Sequence, residues 1–314
     1  MEELVKIIKS GGVVAFPTET VYGLGADAWN PDAVTAVFNV KGRPSDNPLI
    51  VHVAEKNGAY DFATAVPEDA ERLMEAFWPG PLTLILIKKP EVLDIVTAGL
   101  PSVALRMPNH GLALEFIRRT GPLVGPSANR SGGPSPTTAA HVKDDFGAGF
   151  PVLDGGACGI GLESTVLDVT REPYTIYRPG AISADEISAV LRKDVRHLLP
   201  GKENFTAVAS PSPGLKYTHY APAAAVRWLD PGESARDPET LYLFHTHGSG
   251  STKNSIHYRG DYTALARELY DRFRQADKQG FTKIAVEPFP EQVQSGGNTI
   301  IPALKNRISK AAGL

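Results

Sequence analysis

The sequence has one cysteine, Cys158, and so cannot form an internal disulfide bond. This predicts a reducing, cytoplasmic setting. No stretch approaches the ~20 uninterrupted apolar residues that a membrane helix needs. The first residues, MEELVKIIKSGG, are predicted to be neither a signal peptide nor a membrane anchor. We therefore expect no membrane partner.

Common catalytic signatures are also missing. There is no G-x-x-x-x-G-K-[ST] phosphate loop, and Gly23–Asp27 (GLGAD) lacks the third glycine of a dinucleotide-binding turn. Ser127 is not in a G-x-S-x-G elbow, which argues against a hydrolase triad. His245 and His247 form the closest histidine pair, but no third ligand follows at fixed spacing, so we interpret them as a strand-end loop.

Strong positive charge is absent as well. The net charge is −3 and the pI is about 6.3, which argues against a phosphate backbone as the main partner but allows a local basic pocket. Apolar residues make up 42% and charged residues 21%, an ordinary globular composition. The length of 314 residues suits about two domains.

Hydrophobic patterning predicts an α/β protein. Helices alternate with short apolar strands, which is typical of a largely buried sheet. Asn30 is expected to be the N-cap of a helix that starts at Pro31. The expected helices are 2–9, 31–40, 67–77, 110–119, 183–193, 262–275 and 300–310, and the expected strands are 13–16, 49–53, 82–87, 102–107, 123–125, 164–170, 226–229, 240–244 and 283–286.

The pattern dissolves into Pro, Gly, Ser and Lys between Val195 and Ala225. We therefore predict a first domain over residues 1–200, a linker or lid over 201–225 and a smaller α/β domain over 226–314. No role for the second domain follows from its residues. We hypothesise that it docks on the first domain or restrains the linker.

Six loops of the first domain are rich in Gly, Pro, Ser, Thr, Asn and Arg, and each is expected to follow a strand. In α/β sheets the carboxyl ends of strands are the usual ligand sites, and small residues let backbone N–H groups approach a phosphate. The loops are PTETVYGLGAD (17–27), KGRPSDNPL (41–49), WPGPLT (78–83), RMPNH (106–110), PSANRSGGPSPTT (126–138) and RPGAI (178–182).

Each loop also has a purely structural interpretation. PTETVYGLG could be an ordinary strand-to-helix turn, WPGPLT is better explained as a packed turn, and Lys41 and Arg43 could be solvated surface charges. The dense hydroxyl and amide groups of PSANRSGGPSPTT favour a phosphate or ribose site. Many donors without a nucleophile or general base suit a reaction driven by positioning and electrostatic stabilisation.

In this order, the motifs resemble the YrdC-like domain family, in the long form that carries a second domain. The resemblance depends on PTETVYGLG, KGRPSDNPLIVH, WPGPLT, VALRMPNH, PSANRSGGPSPTT, STVLD, YRPGAI and SPGLKYTHYAP. It implies a YrdC-like twisted mixed sheet with helices, followed by a smaller Rossmann-like α/β domain.

The implied activity is nucleotidyl transfer. L-Threonine, bicarbonate and ATP, with Mg²⁺ carried by the ATP, would condense to L-threonylcarbamoyladenylate, pyrophosphate and water. The resemblance further implies that a separate threonylcarbamoyl-transfer complex uses the product to modify tRNA. Stable nucleic-acid binding by this chain is not expected.

The resemblance also assigns site residues, none of them a nucleophile or an acid–base catalyst. Positioning of the reactants would fall to Lys41 and Arg43. The threonine-binding residues would be Thr20, His52, Arg106, Gly125 and Ser164, and the ATP-binding residues Lys41, Arg43, Asn47, Ser102, Ser127, Asn129, Ser135, Arg178, Tyr217 and His219. His52 could instead be a structural strand-end histidine.

The segment SPGLKYTHYAP (212–222) is predicted to be a lid that places Tyr217 and His219 near the nucleotide and Lys216 near phosphate. A plain tether is the alternative. Leu215 and Thr218 depart from the family's Met and basic residue, and Thr218 removes one positive charge.

Two other functions compete with this one. An RNA-binding module could use a basic concave face of the first domain, although the acidic net charge and the lack of aromatic–basic interleaving argue against it. A carbamoyl-adenylate former that uses carbamoyl phosphate is the second, but the chain lacks the acylphosphatase and zinc-finger segments that accompany such domains.

Overall fold

The predicted apolar strands become two separate sheets in the computed structural model, which describes residues 1–198, 220–230, 232–246, 252–290 and 299–314. The strands are β1 (Val14–Phe16), β2 (Gly23–Asp27), β3 (Ile50–His52), β4 (Leu82–Ile87), β5 (Ser102–Arg106), β6 (Leu123–Val124), β7 (Thr165–Asp168), β8 (Thr175–Arg178), β9 (Arg196–His197), β10 (Ala225–Trp228), β11 (Thr240–Phe244), β12 (Ser255–His257) and β13 (Lys283–Val286).

The helices are α1 (Glu2–Lys9), α2 (Pro31–Lys41), α3 (Ala59–Phe62), α4 (Glu68–Phe77), α5 (Asp94–Thr97), α6 (Gly111–Thr120), α7 (Ala139–Phe146), α8 (Ala184–Leu191), α9 (Tyr262–Gln279) and α10 (Ile301–Ala311), with a 3₁₀ turn at Lys56–Gly58. Asn30 caps α2 as predicted, because its side-chain oxygen accepts from the N–H groups of Asp32 and Ala33. No helix of the described residues is long and apolar enough to cross a membrane.

The first sheet orders its nine described strands β1-β2-β6-β3-β5-β4-β7-β8-β9. Its first three neighbouring pairs, from β1 to β3, are antiparallel, and parallel pairs (β3 with β5, β4 with β7, β8 with β9) alternate with antiparallel ones in the rest. The mixed sheet expected from the sequence is therefore confirmed. His52 pairs with Arg106 at the ends of β3 and β5. This register brings two predicted site residues to one edge of the sheet.

The second sheet has the order β10-β13-β11-β12 among the described strands, and every pair is parallel. Helices α9 and α10 share one apolar cluster with this sheet, through residues such as Leu269, Ile284 and Leu304. An open parallel sheet covered by helices agrees with the expected Rossmann-like α/β unit.

One predicted loop is partly a strand. Residues 17–27 were expected to form a loop, but Gly23–Asp27 is β2, which pairs antiparallel with β1. A Cβ at Gly23 or at Gly25 would lie 2.9 Å from the ring of Phe16. Glycine therefore allows close packing inside a strand at these positions, whereas composition alone would indicate a turn.

Two further expectations are corrected. The loop from Lys41 follows helix α2 and the Trp78–Thr83 segment follows helix α4, so neither comes directly after a strand. Helix α7, which Thr138 caps, was not predicted from the sequence. Short amphipathic helices of this kind have too few turns to show a clear period.

The two units share an interface. Val21 and Leu162, beside the first sheet, belong to the apolar cluster that covers α9 and α10. Arg274 of α9 bonds both carboxylate oxygens of Asp145 at 2.8 Å. A Cβ at Gly161 would lie 2.4 Å from the Cα of Arg267, so the backbones touch at this point.

Most of the predicted linker, including Lys216, Tyr217 and His219, lies outside the described residues. Its last part binds both units: the N–H of Ala221 donates to the carbonyl of Gly132, and the N–H groups of Ala223 and Ala224 donate to Asp277. The boundaries 1–200, 201–225 and 226–314 remain a prediction.

Candidate active site

A cleft opens between the edge of the first sheet, the loops after β1, β6 and α2, and Tyr220 of the chain entering the second unit. Four cationic side chains line it. Among its described lining residues, Glu163 is the only carboxylate. The lining comprises Thr18, Thr20, Val21, Gly23, Lys41, Arg43, Pro48, Leu49, Ile50, His52, Arg106, Gly125, Pro126, Ser127, Asn129, Gly132, Gly133, Ser135, Glu163, Ser164, Arg178 and Tyr220.

The PTET turn is built around Thr18. Its hydroxyl donates to the carbonyl of Val21 at 2.7 Å and lies 2.8 Å from the hydroxyl of Thr20. A hydroxyl has one proton, so Thr20 donates in the Thr18–Thr20 bond. Thr20 also accepts from Nη1 of Arg106 at 2.9 Å. Towards the cleft, Thr20 therefore offers a lone pair and no proton.

Arg106 is buried at the end of β5 and bridges two loops. Its Nε donates to the carbonyl of Gly80 at 3.2 Å, and its Nη2 lies 2.7 Å from a carboxylate oxygen of Glu19. The cis peptide bond before Pro79 belongs to the loop that carries Gly80. The guanidinium is thus fixed in place, and the Glu19 carboxylate occupies part of its fork.

His52 packs edge-on against Phe16, with ring centroids 5.5 Å apart. Burial and the charge of Arg106 lower the pKa of His52 to about 3, so the imidazole is neutral. Its Nδ1 has no hydrogen-bond partner among the described residues. A Cβ at Gly125 would lie 2.7 Å from that nitrogen, so glycine is required beside the ring.

Lys41 ties helix α2 to the loop after β6. Its ammonium donates to the Ser127 carbonyl at 2.6 Å, the Asn129 carbonyl at 2.9 Å and Oδ1 of Asn129 at 3.0 Å. Ser127 donates to the same Oδ1 at 2.6 Å. Burial and the charge of Arg43 lower the pKa of Lys41 well below its usual value. The cation and the PSAN loop form one preorganised unit.

Arg43 and Asn47 shape the neighbouring loop. Nη2 of Arg43 donates to the carbonyls of Asn47 and Pro48, both at 3.2 Å. The side chain of Asn47 is fully buried, and its amide nitrogen and oxygen have no partner among the described residues. Asn47 does not line the cleft directly.

Ser164 and Arg178 form the far wall. Nε and Nη2 of Arg178 donate to the carbonyl and the hydroxyl of Ser164 at 3.1 and 3.0 Å, and Thr83 lies 2.8 Å from that hydroxyl. A Cβ at Gly180 would lie 2.2 Å from the N of Thr165, so the RPG turn presses directly on the start of β7. This contact fixes Arg178 over Ser164.

Ser135 contacts Glu163. Its hydroxyl donates to Oε1 of Glu163 at 2.5 Å. Burial opposes ionisation of Glu163, but the charges of Arg307 and Arg178 and the bond from Ser135 outweigh it and lower its pKa to about 2. The carboxylate is ionised, so Ser135, like Thr20, faces the cleft as an acceptor.

The cleft collects most of the residues predicted from the sequence, namely Thr20, Lys41, Arg43, His52, Arg106, Gly125, Ser127, Asn129, Ser135, Ser164 and Arg178. Ser102 is not among them, because it begins β5 and pairs with Ile87, whereas Arg106 ends that strand at the cleft. Tyr217 and His219 lie outside the described residues.

Sequence reasoning missed Thr18, Thr83 and Glu163. Thr18 lies inside the quoted PTET motif, and its role as the centre of the turn appears only in the hydrogen bonds. Glu163 directly precedes the STVLD motif and could have been noticed there. Thr83 lies in a strand, where a buried hydroxyl has no distinctive pattern.

Two family models match the chain. The family model for Sua5, YciO and YrdC, described as "Telomere recombination", matches residues 6–180. The model for the C-terminal domain of threonylcarbamoyl-AMP synthase matches residues 182–313. Together they account for almost the whole chain.

Individual proteins extend the match. The threonylcarbamoyl-AMP synthases of Pyrococcus abyssi and Bacillus subtilis are each 42% identical to this chain, over 98% of it and 92% and 91% of their own lengths. The crystal structure of P. abyssi Sua5 complexed with L-threonine superposes with a TM-score of 0.87 at 38% identity, covering 99% of this chain and 93% of that one. Escherichia coli YciO, at 21% identity and a TM-score of 0.53, shares the fold over 59% of this chain and 91% of its own. The chain is a member of the threonylcarbamoyl-AMP synthase family.

Proposed function

We propose that this chain condenses L-threonine, bicarbonate and ATP to L-threonylcarbamoyladenylate and pyrophosphate. The observation that carries the proposal is the charge of the cleft. Its described lining contains four cationic side chains, Lys41, Arg43, Arg106 and Arg178, and one carboxylate, Glu163. Such a charge balance suits substrates that bring several negative charges.

The threonine half of the cleft is assigned to Thr20, His52, Arg106, Gly125 and Ser164. Thr20 faces the cleft as an acceptor, which suits the ammonium or hydroxyl of the amino acid. Arg106 supplies positive charge for the carboxylate. A neutral His52 does not repel the ammonium, and Gly125 leaves room beside it. The bound L-threonine in P. abyssi Sua5 supports an amino-acid site in this fold.

The ATP half is assigned to the Lys41 unit, Arg43, Ser135 and Arg178. Lys41 and Arg43 both line the cleft, where they would bind phosphate oxygens. Because Ser135 donates to Glu163, we assign it to a donor of the nucleotide, such as a ribose hydroxyl or the adenine amino group, rather than to phosphate. Asn47 would support this half indirectly, through the loop that holds Arg43.

The chemistry then needs little covalent help from the protein. The ammonium of threonine loses a proton to solvent, the free amine attacks bicarbonate, and a carbamate forms with loss of water. The carbamate oxygen then attacks the α-phosphorus while pyrophosphate leaves. The attacking carboxylate is already anionic, so no general base has to activate it. Positioning by Lys41 and Arg43 and neutralisation of the developing phosphate charge would supply the rate enhancement.

Mg²⁺ would arrive with the triphosphate. The described residues contain no group of three or more His, Cys, Asp or Glu side chains able to hold a metal ion, and the Glu163 carboxylate is occupied by hydrogen bonds. The ion would be bound through ATP, as the resemblance implies, and would neutralise part of the phosphate charge.

The product would pass to a tRNA threonylcarbamoyl-transfer complex in the cytoplasm, without stable binding of RNA by this chain. The RNA-binding alternative is not favoured, because the relatives that match almost the whole chain are enzymes. The lid role of Tyr217 and His219 remains part of the proposal.

The test is pyrophosphate release from the full chain with ATP, bicarbonate and L-threonine. Omission of threonine should abolish release. Release that is unchanged without threonine would contradict the proposal. Binding of tRNA that persists without ATP and weakens with salt would support the RNA-binding alternative.

A further inference from the structure

The Glu163 carboxylate joins the cleft to the second unit. Beside the bond from Ser135, Nε of Arg307 in α10 donates to its Oε2 at 2.7 Å. The hydroxyl of Tyr270 in α9 lies 3.0 Å from Oε2 and 3.2 Å from Oε1. Glu163 is 6% exposed and Arg307 is fully buried. Two helices of the second unit therefore contact a residue that lines the proposed substrate cleft.

Charge gives this contact a consequence for binding. A bare carboxylate at the wall of a cleft would repel a triphosphate, and the repulsion is stronger where water is excluded. Arg178 lies near Glu163 on the cleft side, but its guanidinium already bonds Ser164. The described cation bonded to the carboxylate itself is Arg307, which belongs to α10 of the second unit.

The same contact orients Ser135. The Ser135 hydroxyl keeps its lone pairs towards the cleft while its proton points to a side-chain oxygen of residue 163, which Glu163 supplies and a glutamine amide would also supply. Arg307 is held in turn, since Nη1 donates to Oδ1 of Asn306 at 2.7 Å and the guanidinium lies 5.3 Å from the ring centre of Tyr220. A fixed arginine thus holds the carboxylate, and the carboxylate holds the serine.

We propose that Arg307 neutralises Glu163 and thereby completes the nucleotide half of the cleft, so that the second unit acts as a positioning element for ATP. This rests on the proposed function, because it presumes that the cleft binds a nucleotide. Arg307 acts through Glu163 and touches no substrate. The role given to the second unit is electrostatic, in addition to docking.

The test compares Arg307→Met with the double variant Glu163→Gln/Arg307→Met. Loss of the cation alone should weaken ATP binding, measured by calorimetry without threonine, by at least about tenfold, because it leaves a buried anion at the site. The KM for threonine should change less than about threefold, since its half-site is separate. Removing the anion as well should restore ATP affinity to within about threefold of wild type. A purely structural arginine would not be rescued in this way.

Arg274→Met is the matched control. Arg274 is a buried arginine of the same interface, but its partners, Asp145 and the carbonyl of Pro134, do not line the cleft. Its replacement should change ATP affinity less than about threefold. An equal loss in Arg274→Met and Arg307→Met would overturn the inference, because weaker docking would then explain both.

Folding failures are also decisive. If Arg307→Met does not fold, the double variant must fold and bind ATP within about threefold of wild type. Failure of both to fold, or poor binding by a folded double variant, overturns the inference. Wild-type protein that binds ATP but releases pyrophosphate without threonine would contradict the proposed function alone. Unchanged ATP affinity in Arg307→Met would contradict the inference alone.

Discussion

The ammonium of Lys41 lies 2.9 Å from the carbonyl oxygen of Asn129 and 3.0 Å from its side-chain oxygen. The last residue of a helix thereby fixes a loop 88 residues further along the chain. The lysine is ready for an anion before one arrives, because its geometry is set by protein oxygens.

We expect ATP binding to take up a proton at Lys41. Burial and Arg43 lower the pKa of its ammonium in the free protein, and a bound triphosphate raises it. ATP affinity should therefore fall as pH rises through the pKa of the free protein. Calorimetry in two buffers of different ionisation enthalpy measures the uptake. Lys41→Arg, which stays charged, should show less uptake, and equal values for both proteins would contradict the prediction.

Gly125→Ala should damage the threonine half-site. The new Cβ would lie 2.7 Å from Nδ1 of His52 and 3.1 Å from the ring of Phe16, so the imidazole must move. We expect a stability loss of about 1–3 kcal/mol and a KM for threonine raised more than that for ATP. Gly111→Ala is the control, since its Cβ would meet nothing within 4 Å. Equal effects of the two changes would show that the contact does not matter.

Arg106→Lys should separate the two half-sites. A lysine keeps the charge but loses the fork that reaches Gly80 and Thr20 together. The KM for threonine should rise about tenfold or more, with a smaller change in ATP affinity. Steady-state kinetics with each substrate varied in turn measures the split. A change in ATP affinity alone would reverse the assignment of the half-sites.

Gly161→Ala should undock helix α9. Its Cβ would lie 2.4 Å from Arg267 Cα, and the residue has a φ of +82° that disfavours alanine. We expect a loss of about 2 kcal/mol or more and faster hydrogen exchange in α9. Gly159→Ala, with nothing within 4 Å of its Cβ, should leave exchange unchanged. Slow exchange in Gly161→Ala would mean that the backbones can separate without loss of docking.

Glu163 should contribute to acid unfolding. Its folded pKa of about 2 lies below the ordinary value of 4.5, so its stabilising effect is present above pH 4.5 and is lost as pH falls towards 2. The shift corresponds to about 3 kcal/mol at most. Urea midpoints across this range should therefore depend less on pH in Glu163→Gln than in wild type. Identical slopes would show that Glu163 does not carry this dependence.

Local patterns were enough to predict most elements and most of the cleft. The bounds of α1 and β4 agree with the expected 2–9 and 82–87, because each has a clear apolar period between breakers. Gly23–Asp27 was not recognised as a strand, since its glycines are explained only by the ring of Phe16. Hydrophobic period and composition depend on residues that are close along the chain, whereas this contact joins two strands.

The contacts of the second unit with the cleft could not be predicted from the sequence for the same reason. Arg307 is one arginine on an amphipathic helix, and nothing nearby marks it as a partner of Glu163, 144 residues away. Ser102 begins a strand whose other end reaches the cleft, and its assignment to ATP stays a prediction from the resemblance.

The place of Arg307 in the final helix matters for how variants of this gene would be interpreted. A stop codon before residue 307 would spare the PTET, KGR, PSAN and RPG segments, and every described side chain assigned here to threonine or ATP. An interpretation based on these motifs alone would class such an allele as functional. If the arginine balances Glu163 as proposed, the shortened protein would meet ATP with an exposed negative charge in its wall, and cells carrying it would lack the activity despite a complete set of signatures.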